Sequence, residues 1–251
     1  MNKKKIAFIL LFAVLLLISL YFLTSRYSSS GVLPKTEQLV EDINVLFPEV
    51  EAEEIQDIIF LDNRHVVVPF ISEDNQYGVS YWAWENFNWK VLNIRSKGDP
   101  ELWMLDKKDP STYHIVWNIH PDDEMKGINF YLTKDRQYRI LNGVTHQYGP
   151  KVFLEEKVDL EGKTYGVKKF TRQWSTTISE IQQSNLPEQH SLFFGNFSHN
   201  LFLYQWVPVM KNGPRQGLPI SVNGSDYSTG QVDTEFVNLT SQEEIDRYKM
   251  K

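Results

Sequence analysis

Residues 64–94 read RHVVVPFISEDNQYGVSYWAWENFNWKVLNI, and residues 113–143 read YHIVWNIHPDDEMKGINFYLTKDRQYRILNG. The two stretches align without a gap at an offset of 49 positions. His65 meets His114, Val67 meets Val116, Asp74 meets Asp123, Gly78 meets Gly127, and Leu92-Asn93 meets Leu141-Asn142. Like-for-like pairs fall between them, among them Val66 with Ile115, Tyr81 with Phe130, Trp82 with Tyr131 and Trp89 with Tyr138. A unit of roughly 50 residues made of short alternating segments is the signature of a β-module used more than once.

Within the first copy the period is two. Ile58–Leu61, His65–Ile71, Gly78–Trp84 and Trp89–Ile94 read as strands, separated by turns rich in Asp, Asn, Ser and Glu. The second copy reads the same way, with strands near Glu101–Leu105, Tyr113–Ile119, Gly127–Leu132 and Tyr138–Leu141. Each copy is therefore expected to fold as an antiparallel meander. Beyond it, Val152–Val158 and Lys163–Thr171 suggest one hairpin, and Ser191–Phe197 with Leu201–Val209 another. A last strand is expected within Gln231–Leu239. Helices are few: one after Pro34 with Leu39, Val40, Ile43, Leu46 and Phe47 at helical spacing and Pro48 closing it, a short one from Thr177 and Glu180 to Ser184, and one opened by Ser241 and Glu244. The acidic stretch Glu49–Glu54 reads as a solvated face or a further helical turn. The expected class is all-β, mainly antiparallel, closing as a propeller, a sandwich or an open barrel.

The N-terminus has a different character. Lys3, Lys4 and Lys5 precede an uncharged, almost wholly apolar run of 18 residues, Ile6–Leu23. As a helix it spans roughly 27 Å, close to the thickness of a bilayer's hydrocarbon core. A cleavable signal peptide has a shorter apolar region ending in a small-residue cleavage site; the run is therefore read as an uncleaved signal anchor. The positive-inside rule places residues 1–5 in the cytoplasm, 6–23 in the membrane, 24–34 as a linker, and 35–251 as one β-rich domain outside.

Composition narrows the partners. There is no cysteine, which removes disulfides, thiol nucleophiles and Cys-ligated metals, and suits the cell envelope of a bacterium better than a eukaryotic secretory route. Residues 1–30 hold four of the 26 basic residues and no acid, leaving 22 basic against 32 acidic residues beyond them, a net charge of −10. That opposes binding to nucleic acid and to anionic polymers or lipid heads.

Two constellations carry chemistry. His120-Pro121-Asp122-Asp123-Glu124 resembles the His-Pro-Asp-Asp-Glu signature of the LmbE-like zinc deacetylases, which remove acetyl groups from amino sugars. The resemblance covers this short motif and Gly127, and implies His120 and Asp123 as zinc ligands and Asp122 as the base acting on metal-bound water. Against it, the repeat aligns the motif with Ile71–Asn75, a plain acidic turn, and Gly127–Leu132 continues as a strand where that family has a helix. Gly-x-Ser-x-Gly, His-Glu-x-x-His and phosphate-loop patterns are missing. The second constellation is aromatic. In Tyr81-Trp82-Ala83-Trp84 the two tryptophans share one strand face, and Val79, Tyr81 and Ala83 the other. Such a strand is expected to be buried on both sides; exposed instead, Trp82, Trp84 and Trp89 would form a stacking platform for sugar rings or a peptide, with Asn86, Asn88 and Glu85 supplying hydrogen bonds. The sequence thus predicts a membrane-anchored, extracytoplasmic binding or assembly module without catalysis or cofactor, its partner a protein or a neutral glycan. A zinc-dependent hydrolase is the alternative.

Overall fold

The computed structural model describes residues 3–27, 29–141, 145–184, 202–213, 217–230 and 232–250. Helix α1 (Lys3–Tyr27) contains the apolar run; of its side chains, those of residues 4, 5 and 10–21 are described. Among the described residues no helix is long and apolar enough to cross a membrane. Helix α2 (Thr36–Leu46) forms where the spacing predicts it, buries Leu39 and Ile43 one turn apart, and stops before Pro48.

From there the chain is β. The strands are β1 (Ala52–Ile55), β2 (Ile59–Phe60), β3 (His65–Ser72), β4 (Tyr77–Glu85), β5 (Asn88–Arg95), β6 (Glu101–Met104), β7 (Tyr113–Asn118), β8 (Met125–Lys134), β9 (Gln137–Leu141), β10 (Thr145–Gly149), β11 (Val152–Asp159) and β12 (Tyr165–Lys169). Helix α3 (Arg172–Ser184) follows, then β13 (Leu203–Met210), β14 (Asp226–Ser228), β15 (Thr234–Phe236), β16 (Asn238–Leu239) and helix α4 (Gln242–Met250). Ser241 accepts from the Glu244 amide and caps α4 as expected. The hairpin arm Ser191–Phe197 and Asn142-Gly143 of the second copy lie outside the described residues.

Among the described residues the strands form three sheets, in the orders β1-β3-β4-β5-β14, β12-β7-β6-β15 and β11-β8-β13-β16, with β2 also on β3 and a separate ribbon β9-β10. All pairs are antiparallel except β13 with β16. Among the described residues the strands form neither a propeller nor a barrel. The sheets stack instead. One face of the first lies under α2, with Val66, Phe70, Trp82 and Ile94 against Leu39 and Ile43. Its other face meets the second sheet, Val67, Val79 and Tyr81 against Trp103 and Val116. The second sheet's far face meets the third, Ile115 and Trp117 against Ile128, Phe130 and Trp206, closed at one side by Trp174 and Ile178 of α3. The outer face of the third, Tyr131 and Val207, is covered by Ile245 of α4. Alternate residues of each central strand thus serve two cores, which is why both faces of Val79–Trp84 are apolar.

The repeat survives as geometry but not as pairing. His65 opens β3 and His114 is the second residue of β7, and Asn75 and Glu124, at matching positions, both adopt the left-handed conformation (φ 58° and 50°) in turns closed by equivalent bonds, Asn75 N–H to Ser72 O and Glu124 N–H to Pro121 O. In the first copy β4 returns beside β3, and β5 beside β4. The expected second meander does not form. Both edges of β7 are taken by β6 and β12, so β8 leaves for the third sheet and pairs with β11 and β13. For the same reason β11 and β12 are not the expected hairpin: each joins a different sheet.

Candidate functional site

The aromatic constellation is core. Trp82 is fully buried beneath α2, and Trp84 and Trp89 are 9% and 5% exposed. Trp89 Nε1 donates to Gly31 O at 3.0 Å, and a Cβ on Gly31 would sit 2.6 Å from the Trp84 ring. The segment leaving α1 therefore lies directly on these two rings and leaves no face for a sugar or peptide to stack on. The rings are buried, as a strand apolar on both faces is expected to be, and the alternative platform of exposed Trp82, Trp84 and Trp89 does not form. Asn86 and Asn88 are exposed in the β4–β5 turn, beside Glu85, but no longer flank an open aromatic surface.

The His-Pro-Asp-Asp-Glu motif forms a tight turn, Pro121–Asp123, between β7 and β8. Asp123 is fully buried, and its carboxylate accepts from the amides of Ile220 at 2.6 Å and Ser221 at 3.0 Å and from the Ser221 hydroxyl. The Ser221 Oγ in turn accepts from the His120 amide at 2.7 Å. The imidazole is held as well: Nδ1 accepts from the Asp122 amide at 3.2 Å, so the proton sits on Nε2, which donates to Asn75 O at 3.2 Å. Asp122 is 77% exposed. Asp123 thus spends its oxygens on a neighbouring segment, and among the described residues no group of three His, Asp or Glu side chains is placed to hold a metal ion. The residues do not assemble the zinc centre that the resemblance implies. They form a clasp.

Beside the clasp is a cleft of about 180 Å³, lined by Asn75, Tyr77, Ser96, Lys97, His120 and Ser221 among others. Its polar groups are largely committed to the protein: Lys97 pairs with Asp226 at 2.7 Å, Ser96 Oγ accepts from the Ser225 amide, and Tyr77 packs edge-on against His120 with ring centroids 5.0 Å apart. No serine there faces an imidazole base. Behind it, the fully buried Arg95 binds Asp99 at 2.8 Å, Asp226 at 3.2 Å and Glu101 at 3.6 Å. Burial pushes the Asp99 and Glu101 carboxyls up, while the three acids together hold Arg95 firmly protonated. The group ties β5, β6 and β14 together across two sheets. Glu235, on edge strand β15, is pushed up to about 7 by burial.

An exposed aromatic surface lies elsewhere, on the β9–β10 ribbon. Tyr138 is directly opposite Tyr148, with ring centroids 5.0 Å apart, and His146 lies 5.6 Å from Tyr138 on the same face. Tyr138 and His146 are hydrogen-bonded, and Tyr138 and Tyr148 are 52% and 75% exposed. The ribbon's base is fixed by Lys134, a buried ammonium donating to Asp135 O and Pro150 O on its two legs. The signal was available in the sequence: the repeat aligns Tyr138 with Trp89, and Trp89 is covered by the segment around Gly31, ahead of the first copy. Comparison of the chain with known protein families, with curated proteins and with solved structures finds no match.

Proposed function

We propose that the chain is a membrane-tethered binding or assembly module of a bacterial cell envelope. In this reading Ile6–Leu23 holds it in the membrane, residues 35–251 lie outside, and the stacked sheets present a contact surface without catalysis. The observation that carries it is the row of exposed rings at Tyr138, His146 and Tyr148. A two-stranded ribbon is marginal on its own in water, and rings left open on one are a surface for a partner. The net charge of −10 beyond residue 30 favours a protein or a neutral glycan over an anionic polymer.

The test uses the full chain in its own membranes. It is expected to remain in the pellet after alkaline carbonate extraction, and to retain a stoichiometric protein or glycan on mild solubilisation. Tyr138→Ala with Tyr148→Ala should reduce that retention at least tenfold without changing the far-ultraviolet spectrum. Release by carbonate rejects the tether. A hydrolase activity abolished by Asp122→Ala instead establishes the zinc-enzyme reading.

A further inference from the structure

The β4–β5 hairpin has an unusual tip. Glu85 and Asn88 form its closing pair, and Asn86 and Phe87 both have positive φ, 52° and 64°. This is the type I′ geometry, in which Asn suits the first position and Gly the second. A phenylalanine at the second position strains the backbone. Its ring gains little from the fold in return, being 46% exposed. A side chain that costs strain and is not buried is placed for something outside the domain.

Its neighbours indicate what. The Phe87 ring lies 6.1 Å from Tyr21, near the outer end of the apolar run in α1. The segment after α1 passes over Trp84 and Trp89, bringing exposed Val32 to the same margin, and exposed Phe60 packs edge-on against Trp89 at 6.3 Å. Val32, Phe60 and Phe87 are thus exposed apolar side chains, Phe87 beside Tyr21, Phe60 against Trp89 and Val32 next to Gly31, which lies on Trp84. Aromatic side chains at the end of a membrane-spanning segment sit at headgroup level, and a ring beside Tyr21 shares that depth. We propose that the β4–β5 hairpin seats Phe87, with Phe60 and Val32, in the outer lipid interface and so holds the domain down on the bilayer. This rests on the membrane-tethered reading of α1.

The absence of cysteine allows single-cysteine labelling with an environment-sensitive nitrobenzoxadiazole dye. The full chain is reconstituted in phosphatidylcholine–phosphatidylglycerol vesicles, with and without bromine on the acyl chains, and labelled at Leu16→Cys, Asn88→Cys or Tyr148→Cys in separate samples. Bromolipid quenching is expected at 16 and 88 and not at 148. Phe87→Gly should reduce quenching at 88 at least twofold while raising the melting temperature in detergent, because glycine relieves the turn. No quenching at 16 rejects the tether itself. Quenching at 16 with a water-exposed label at 88 rejects only the hairpin's seat in lipid. A label at 88 that is blue-shifted but unquenched shows a protein cover there and also overturns it, as does a melting temperature unchanged or lowered by Phe87→Gly.

Discussion

Asp122 and Asp123 are neighbours in sequence and opposites in environment. Asp123 is buried and accepts two amides and a hydroxyl from Ile220 and Ser221, while Asp122 faces solvent. Removing a buried carboxylate that satisfies several donors leaves those donors unpaired, and hydrogen bonds to a charged acceptor contribute about 1.5–3 kcal/mol each. Asp123→Ala should therefore destabilise the chain by about 3–5 kcal/mol, and Asp122→Ala by no more than about 0.5 kcal/mol. Urea unfolding of the two variants checks this. A zinc site reverses the emphasis, with Asp122→Ala silent in stability and lethal to activity. Only part of the clasp was legible. The aligned acidic turn in the first copy identified a turn, but nothing local to Asp123 announces Ser221, 98 residues away. A carboxylate's partner is chosen by topology, and eight residues of motif do not contain it.

At the scale of elements, strand positions were readable because the period-two alternation is local, and strand partners were not because edges are allocated by the whole fold. β3, β4 and β5 matched expectation in place and pairing; β8 matched in place only. β1 carries no apolar alternation to announce it, because Glu53 and Glu54 are solvated on an edge strand. Helix α3 starts five residues before the expected Thr177, and Trp174, Ile178 and Ile181, all buried at helical spacing, were the overlooked signal. Helix α2 forms where its apolar spacing predicts it, and its role can be tested. It is the lid over Trp82, resting on Leu39 and Ile43, both fully buried. Ile43→Ala opens a cavity next to the ring and should cost about 2–5 kcal/mol. Tryptophan emission in the native state should shift to the red as water reaches the first sheet's outer face. An unchanged spectrum with unchanged stability removes α2 from the core.

For the whole molecule, the decisive feature is how the C-terminal segment crosses the stack. It adds β14 to the first sheet beside β5, β15 to the second beside β6, and β16 to the third beside β13. One short stretch therefore closes an edge of all three layers, which also reduces the exposed strand edge. It is fixed at its start by the Asp123 clasp and by Ser221 O, which accepts from the Gly98 and Asp99 amides, and further on by Arg95 and Lys97 through Asp226. The interface it reinforces between the first and second sheets is the more polar one, holding buried Asn93, Arg95, Glu101 and Asn118. Asn118 carries much of the direct link, donating to Gln56, Phe70 O and Gly78 O. A strap of this kind couples layers that share fewer apolar contacts, so the intact chain should unfold in one transition. Cutting the strap between β14 and β15 removes the covalent link while leaving every sheet's strands present. With a protease site inserted after the exposed Gly230, the uncut protein should melt once, with tryptophan fluorescence and far-ultraviolet signals coincident. After cleavage the melting temperature should fall and the two signals should separate, the first sheet's Trp82 and Trp84 losing their burial before the second and third sheets lose their strands. A cut protein that still melts in one unshifted step shows that side-chain packing alone couples the layers, and that the strap merely follows them.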